Sequence, residues 1–153
     1  MNAEELHHLE RCVELAEEAL ARGDRPFGSV LVSASGERLR EDSNRIKTRG
    51  EITAHPEIEL ARWASKNLSL EERRGATLYT SGEHCPMCAA AHVWAEIGRL
   101  VFILDAARIR ELSRPGGVSF EIDAREIVRR SSREITVIGP IESLRDRVEA
   151  LFR

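Results

Sequence analysis

The sequence predicts an α/β layered domain: a central five-stranded mixed sheet covered by helices on both faces, a three-layer α/β/α sandwich. Three observations point there. Short apolar, β-branched runs that read as strands alternate with amphipathic runs at helical spacing. The first two strand-like runs are joined by a tight turn, as in a hairpin, and the later ones are separated by helices. The 153 residues contain no repeat, low-complexity tract or linker, so 1–153 reads as a single domain.

The elements follow in order. From Asn2 to about Ala21, Leu6, Leu9, Val13, Ala16 and Leu20 recur at steps of three and four and make one apolar helix face. Asn2 with Glu5 starts it like a capping box, and Gly23 ends it. Phe27 to Ser33 is a strand, Ala34-Ser35-Gly36 a turn, and Glu37 to Asp42 the returning strand. Residues 43–53 are polar and read as loop. Pro56 opens a helix to about Asn67, because proline suits the first helical position. Gly75 precedes a third strand, Ala76 to Thr80. Pro86 opens the next helix, to about Glu96, and Gly98 stops it. Leu100 to Leu104 reads as a buried strand. A short helix over Ala107 to Leu112, a loop at Pro115-Gly116-Gly117, a fifth strand over Glu134 to Gly139 and a last helix over Ser143 to Phe152 complete the chain.

Composition narrows the function classes. Hydrophobic residues make up 42% and charged residues 32%, a mix that buries a core and stays soluble. The formal net charge is -3 with both signs interspersed, so there is no global pull toward nucleic acid. The basic stripe Arg125, Arg129, Arg130, Arg133 reads as a solvated face. No apolar run approaches the roughly 20 residues that span a bilayer, so no membrane is expected. The start Met1-Asn2-Ala3-Glu4-Glu5 is polar and acidic, unlike a signal peptide, which predicts a cytoplasmic protein. Three cysteines in that compartment argue against a disulfide framework. Cys12, alone in the first helix, reads as packed.

The chemistry lies in two short pieces at helix starts, His55-Pro56-Glu57 and Cys85-Pro86-Met87-Cys88. Each alone is weak; together they are a strong signal. Two thiolates and one neutral imidazole are good zinc ligands, and a helix N-terminus favours the thiolate form. Three protein ligands leave one tetrahedral position for water, whose pKa zinc lowers from roughly 16 to roughly 7. Glu57, two residues from His55, is placed to move protons without binding the metal. The expected reaction converts an amidine-type C–NH2 and water to C=O and ammonia. A thioredoxin-type redox site would explain Cys85 and Cys88 but not His55 and Glu57. A structural zinc site would need a fourth protein ligand.

These residues resemble the cytidine deaminase-like superfamily, whose signature is H-x-E followed by P-C-x-x-C. The resemblance extends to Pro26-Phe27-Gly28, to Asn44, to Leu78-Tyr79-Thr80-Ser81-Gly82-Glu83 and to Trp94-Ala95-Glu96-Ile97-Gly98. The Tyr-Thr-Ser-x-Glu lead-in and the tryptophan look most like the nucleobase deaminase branch, with guanine, cytosine or amino-triazine substrates. The resemblance implies a homodimer with the active site near the subunit interface. It gives Asn44 a hydrogen bond to the substrate ring, with a turn residue as the alternative. It makes Phe27 and Trp94 candidates to pack against the base plane, with ordinary core aromatics as the alternative. Glu83 reads as a brace beside the zinc loop. Two residues depart from the family. Pro56 stands where relatives carry Ala or Gly, whose backbone N–H meets a substrate carbonyl. His84 replaces a proline. His7, His8 and His92 read as surface or packing residues. The expected activity is therefore hydrolytic deamination of a small free nucleobase or related heterocycle, with nucleic acid an unfavoured partner. The alternatives are deamination of a tRNA adenosine or of a free cytidine-type nucleoside.

Overall fold

The computed structural model describes residues 1–153. Helix α1 (Ala3–Arg22) opens with Asn2 and Glu5 capping each other's backbone and ends at Gly23, which takes the left-handed conformation (φ 92°). Strands β1 (Gly28–Val32) and β2 (Arg38–Ser43) form the expected hairpin. A single helical turn, α2 (Ile46–Arg49), interrupts the expected loop. Helix α3 (Pro56–Asn67) is followed by a short helix, α4 (Leu70–Gly75), and by β3 (Thr77–Gly82). Helix α5 (Pro86–Ala95) leads into β4 (Arg99–Leu104). Then come α6 (Ala106–Leu112), α7 (Ala124–Arg129) and the short β5 (Thr136–Ile138). The expected last helix is divided: one α-helical stretch, α8 (Arg145–Glu149), lies between 3-10 turns at Glu142–Leu144 and Ala150–Phe152.

The five strands form one mixed sheet in the order β2-β1-β3-β4-β5. β1 is antiparallel to β2 and β3, whereas β3–β4 and β4–β5 are parallel. Strand side chains alternate between two layers. On one face Leu31, Leu78, Leu100 and Phe102 meet Leu60 and Ala64 of α3, Ala89 of α5 and Ala124 of α7. On the other, Val30, Tyr79, Val101 and Ile103 meet Leu9, Cys12 and Val13 of α1 and Val148 of α8. The predicted three-layer sandwich is the observed one, and Cys12 is a core residue. The α1–β1 contact is close because residue 28 has no side chain: a Cβ there would stand 2.4 Å from the Cys12 carbonyl oxygen. No helix is long and apolar enough to cross a membrane.

Besides α2, two helices escape the sequence reading although their start signals are present. α4 has a Ser69–Glu72 capping box, and Asp123 caps the Glu126 N–H at the start of α7. Each spans only six residues, too short for helical periodicity to stand out.

Candidate metal centre

The hairpin register pairs Gly28 with Ser43, and the parallel register pairs Gly82 with Leu104. One end of the sheet therefore gathers the start of β1 and the ends of β2, β3 and β4. His55 caps α3, Cys85 caps α5, and Cys88 lies within the first turn of α5. Pro56 and Pro86 occupy the first helical position in each case, which keeps His55 and Cys85 extended. Nδ1 of His55 lies 3.6 Å from Sγ of Cys85 and 3.5 Å from Sγ of Cys88. All three donor atoms fall within 4.8 Å of one another. Zinc–sulfur bonds of about 2.3 Å and zinc–nitrogen bonds of about 2.0–2.1 Å put adjacent tetrahedral ligands about 3.6 Å apart, so the set fits that ion. No disulfide joins the cysteines.

The pair of sulfurs is polarised. The hydrogen bond from Cys88 draws Cys85 down to about 4 against the effect of burial, and His55 adds to the pull. Cys88 moves upward, because it donates that bond, is buried and sits beside Glu57. His55 is raised, first by its contact with Cys85 and then by Glu57, against burial. The backbone N–H groups of Ile58, Cys88 and Glu57 face the Cys88 sulfur, the Cys85 sulfur and the Glu57 carboxylate, and each favours the charged form of the group it faces. Pro56 has none.

Glu57 is buried in the first turn of α3. Burial raises its pKa, opposed by His55, its own N–H and Thr80. Its Oε2 lies 3.6 Å from the Cys88 sulfur. Its Oε1 lies 3.1 Å from the Thr80 hydroxyl and 3.4 Å from that of Ser29. Sequence reasoning missed both hydroxyls. Their signal is a polar residue on each strand at the parity of the buried Leu31 and Leu78.

Asn44 lies at the same end of the sheet and is buried. Its N–H donates to the Phe27 carbonyl (2.9 Å), and its carbonyl accepts from Arg22 (3.0 Å). Its side-chain Oδ1 accepts from the Ile46 N–H (3.0 Å). An N–H can only donate, so the oxygen is fixed there and the amide NH2 is left without a partner in the chain. Asn44 is thus a turn residue that keeps one free donor group. Asp24 secures the same loop by accepting from the Thr48 N–H and hydroxyl. Phe27 is half-buried, edge-on to Phe152 at 5.7 Å between ring centroids. Trp94 is not gathered with the others. It is 87% exposed and six residues beyond Cys88, about 9 Å along the helix axis, so it is not a core aromatic.

Glu83 is a brace. One carboxylate oxygen accepts from the Ala106 N–H (3.2 Å) at the start of α6, the other from the Ala124 N–H (2.7 Å) at the start of α7. His84 is buried and turned toward His92, with 3.1 Å between its Nε2 and His92 Nδ1. His92 Nε2 lies 3.0 Å from the Ile97 carbonyl, which can only accept, so it carries the hydrogen. Its Nδ1 must then accept from His84. His84 is outside the donor set and supplies no fourth ligand.

Comparison with known proteins places this geometry. The chain is 29% identical over 142 residues to a probable cytosine deaminase of Schizosaccharomyces pombe, a match covering 92% of this chain and 86% of that protein. It is 39% identical over 100 residues to a tRNA-specific adenosine deaminase of Agrobacterium fabrum, covering 65% of each. Among solved structures, guanine deaminase from Nitrosomonas europaea matches with a TM-score of 0.75 over 99% of this chain and 82% of that one; the identity is 22%, so the likeness is one of fold. The zinc-binding region of cytidine and deoxycytidylate deaminases matches residues 2–104, which contain His55, Glu57, Cys85 and Cys88. The chain therefore belongs to the cytidine and deoxycytidylate deaminase family, zinc-dependent hydrolases of C–N bonds.

Proposed function

We propose that this deaminase acts on a small free nucleobase or related amino-heterocycle: a guanine-like purine, cytosine or an amino-triazine. The observation that carries this choice over a tRNA is the state of the arginines that follow β4. Arg108 pairs with Glu111 and Glu149, Arg130 with Glu126, and Arg133 with Glu96. Arg125 donates to the Val137 and Gly139 carbonyls. A phosphate backbone is held by cations free to meet it; these four are paired with carboxylates or carbonyls of the chain, whereas Arg114, exposed after α6, has no such partner. The 39% identity to a tRNA-specific adenosine deaminase keeps editing of a tRNA adenosine as the second reading, ahead of a free cytidine-type nucleoside.

His55, Cys85 and Cys88 hold the zinc. Zinc there supplies the Lewis acidity that makes water a nucleophile near neutral pH. Glu57 takes one proton of the attacking water and gives it to the ring nitrogen, then takes the second from the added hydroxyl and gives it to the departing amine, so that N=C–NH2 and H2O become HN–C=O and NH3. Its burial favours the protonated form it must adopt between these transfers. Asn44 donates its free amide N–H to an acceptor on the ring, and Phe27 packs along the base plane. Trp94 belongs to the contact of a homodimer, from which it can reach a base only in the neighbouring copy. The cytoplasm, where thiols stay reduced, suits three free cysteines.

Pro56 sets the choice among rings. With proline at 56, the start of α3 lacks the backbone N–H that would meet a ring carbonyl at that position. Rings without that carbonyl, such as amino-triazines, are favoured over guanine and cytosine. Ammonia release across free bases, nucleosides, triazines and a tRNA anticodon stem-loop tests the assignment. Glu57→Ala should keep zinc and lose nearly all turnover. Pro56→Ala should raise kcat/KM for guanine or cytosine about fivefold relative to an amino-triazine, the equivalent of one hydrogen bond. Turnover of the stem-loop alone would overturn the free-base reading.

A further inference from the structure

We infer that Ser29 and Thr80 form a paired hydroxyl grip on the Glu57 carboxylate, holding Oε1 so that Oε2 is the oxygen that carries protons. The inference rests on the reading of Glu57 as the proton carrier. Ser29 and Thr80 are cross-strand partners in the β1–β3 register. Both are fully buried, and both share a sheet face with Leu31 and Leu78. A hydroxyl in such a layer is costly unless it is hydrogen-bonded. Here the two bond each other at 2.9 Å and reach Oε1 at 3.1 Å from Thr80 and 3.4 Å from Ser29.

The division between the two carboxylate oxygens follows from this contact. Both hydroxyls approach Oε1, and neither approaches Oε2. The side-chain group near Oε2 is the Cys88 sulfur. Once that sulfur serves as a metal ligand it is a thiolate and has no hydrogen to give. Oε2 is then left to exchange protons with water and substrate.

The grip also suits both states of the carboxyl group. Ser29 donates to Thr80, whose single hydrogen has three acceptors in range, the two nearer being the Gly82 carbonyl at 3.0 Å and Glu57 Oε1 at 3.1 Å, with the Gly28 carbonyl at 3.4 Å. While Glu57 is charged, the hydrogen turns to Oε1. After Glu57 has taken a proton, it turns to Gly82, and no heavy atom moves. A carrier that alternates twice per turnover gains from surroundings that need no reorganisation. Ser29 and Thr80 are positioning residues that act through Glu57.

The test uses the zinc-loaded protein and the best substrate of the panel. Thr80→Val keeps the shape and removes the hydroxyl. It should lower kcat about tenfold, with KM within about twofold and one zinc per chain retained. Thr80→Ser should restore most of the rate, and Ser29→Ala should lose about threefold. In a Glu57→Gln background, Thr80→Val should cause no further loss in the residual single-turnover rate. In the zinc-free protein, the infrared carboxyl band found by subtracting the Glu57→Gln spectrum should shift in Thr80→Val and return in Thr80→Ser. Normal kcat in Thr80→Val, an equal loss in the Glu57→Gln background, or an unmoved band would overturn the grip. If Thr80→Val does not fold, Ser29→Ala gives the same readouts at its threefold scale, and a normal kcat or an unmoved band there would equally overturn the grip. Full turnover by Glu57→Gln would instead overturn the proton-carrier reading.

Discussion

Glu83 offers a direct measure of how the metal loop is tied to the later helices. Replacing it with alanine leaves the N–H groups of Ala106 and Ala124 without acceptors, at positions where its carboxylate accepts from both. Each orphaned donor costs about 1–3 kcal/mol, so the pair would cost about 2–6. Part of that is returned. Burial, and the nearby Asp123 and Asp105, raise the Glu83 pKa even against the two N–H bonds, so the carboxylate is itself under strain in this place. The expected loss for Glu83→Ala is about 3 kcal/mol, or about 6–12 °C in Tm for a chain of this size. Glu83→Gln keeps one acceptor and should lose about half as much. Guanidinium and thermal unfolding of the zinc-loaded protein measure both. Zinc stoichiometry should hold, because His55, Cys85 and Cys88 are untouched. If Glu83→Ala stays within about 1 kcal/mol of the parent, or if the glutamine variant falls as far as the alanine one, the two-helix brace is not what Glu83 provides.

Three further outcomes follow from the same contacts. Glu57 has a raised pKa, so burying its charge costs stability above its ordinary value of 4.5 and costs none below it. Glu57→Gln should therefore raise the Tm of the zinc-free protein at pH 7 and leave it unchanged near pH 4. Asp24 shows the opposite sign: burial pulls it up, but hydrogen bonds from Thr48 and Arg22 outweigh that and hold it at about 2, against an ordinary 3.8. Its contribution is present above pH 3.8 and lost as pH falls toward 2, so in acid titrations followed by circular dichroism Asp24→Asn should flatten the loss of stability across that interval. Gly28→Ala would place a Cβ 2.4 Å from the Cys12 carbonyl oxygen and 2.8 Å from the Ala16 nitrogen, both backbone atoms. Moving α1 off the sheet should cost about 3 kcal/mol or more by chemical denaturation, and a loss under 1 would mean that α1 shifts freely.

Much of this molecule is legible in the residue order, for reasons that are local. The α1 face, the hairpin turn and the prolines at 56 and 86 are signals within a few positions of the structure they specify. The metal centre is legible because ligand chemistry admits few residue types at few spacings. What escapes depends on neighbours distant in the chain. Ser29 and Thr80 acquire meaning through a strand register that joins residues far apart in sequence. Trp94 carries the strongest aromatic signal of α5, yet which way it faces is fixed by the packing of α3 and α7 against that helix, and it faces outward. The break in the last helix is equally hidden, since Leu144, Val148 and Leu151 keep helical spacing through it.

The sheet closes itself to growth. Its outer hairpin strand, β2, carries Arg38, Arg40, Glu41 and Asp42, with Arg40 and Glu41 exposed, and such charges repel a newcomer that would extend the ladder. At the opposite margin β5 spans only three residues before the chain turns at Gly139-Pro140. Both margins discourage strand-to-strand joining and leave the helical layers as the surfaces open to a second copy. The same guarded margins protect the protein from the cross-β stacking to which a bare strand of hydrophobic residues would expose it.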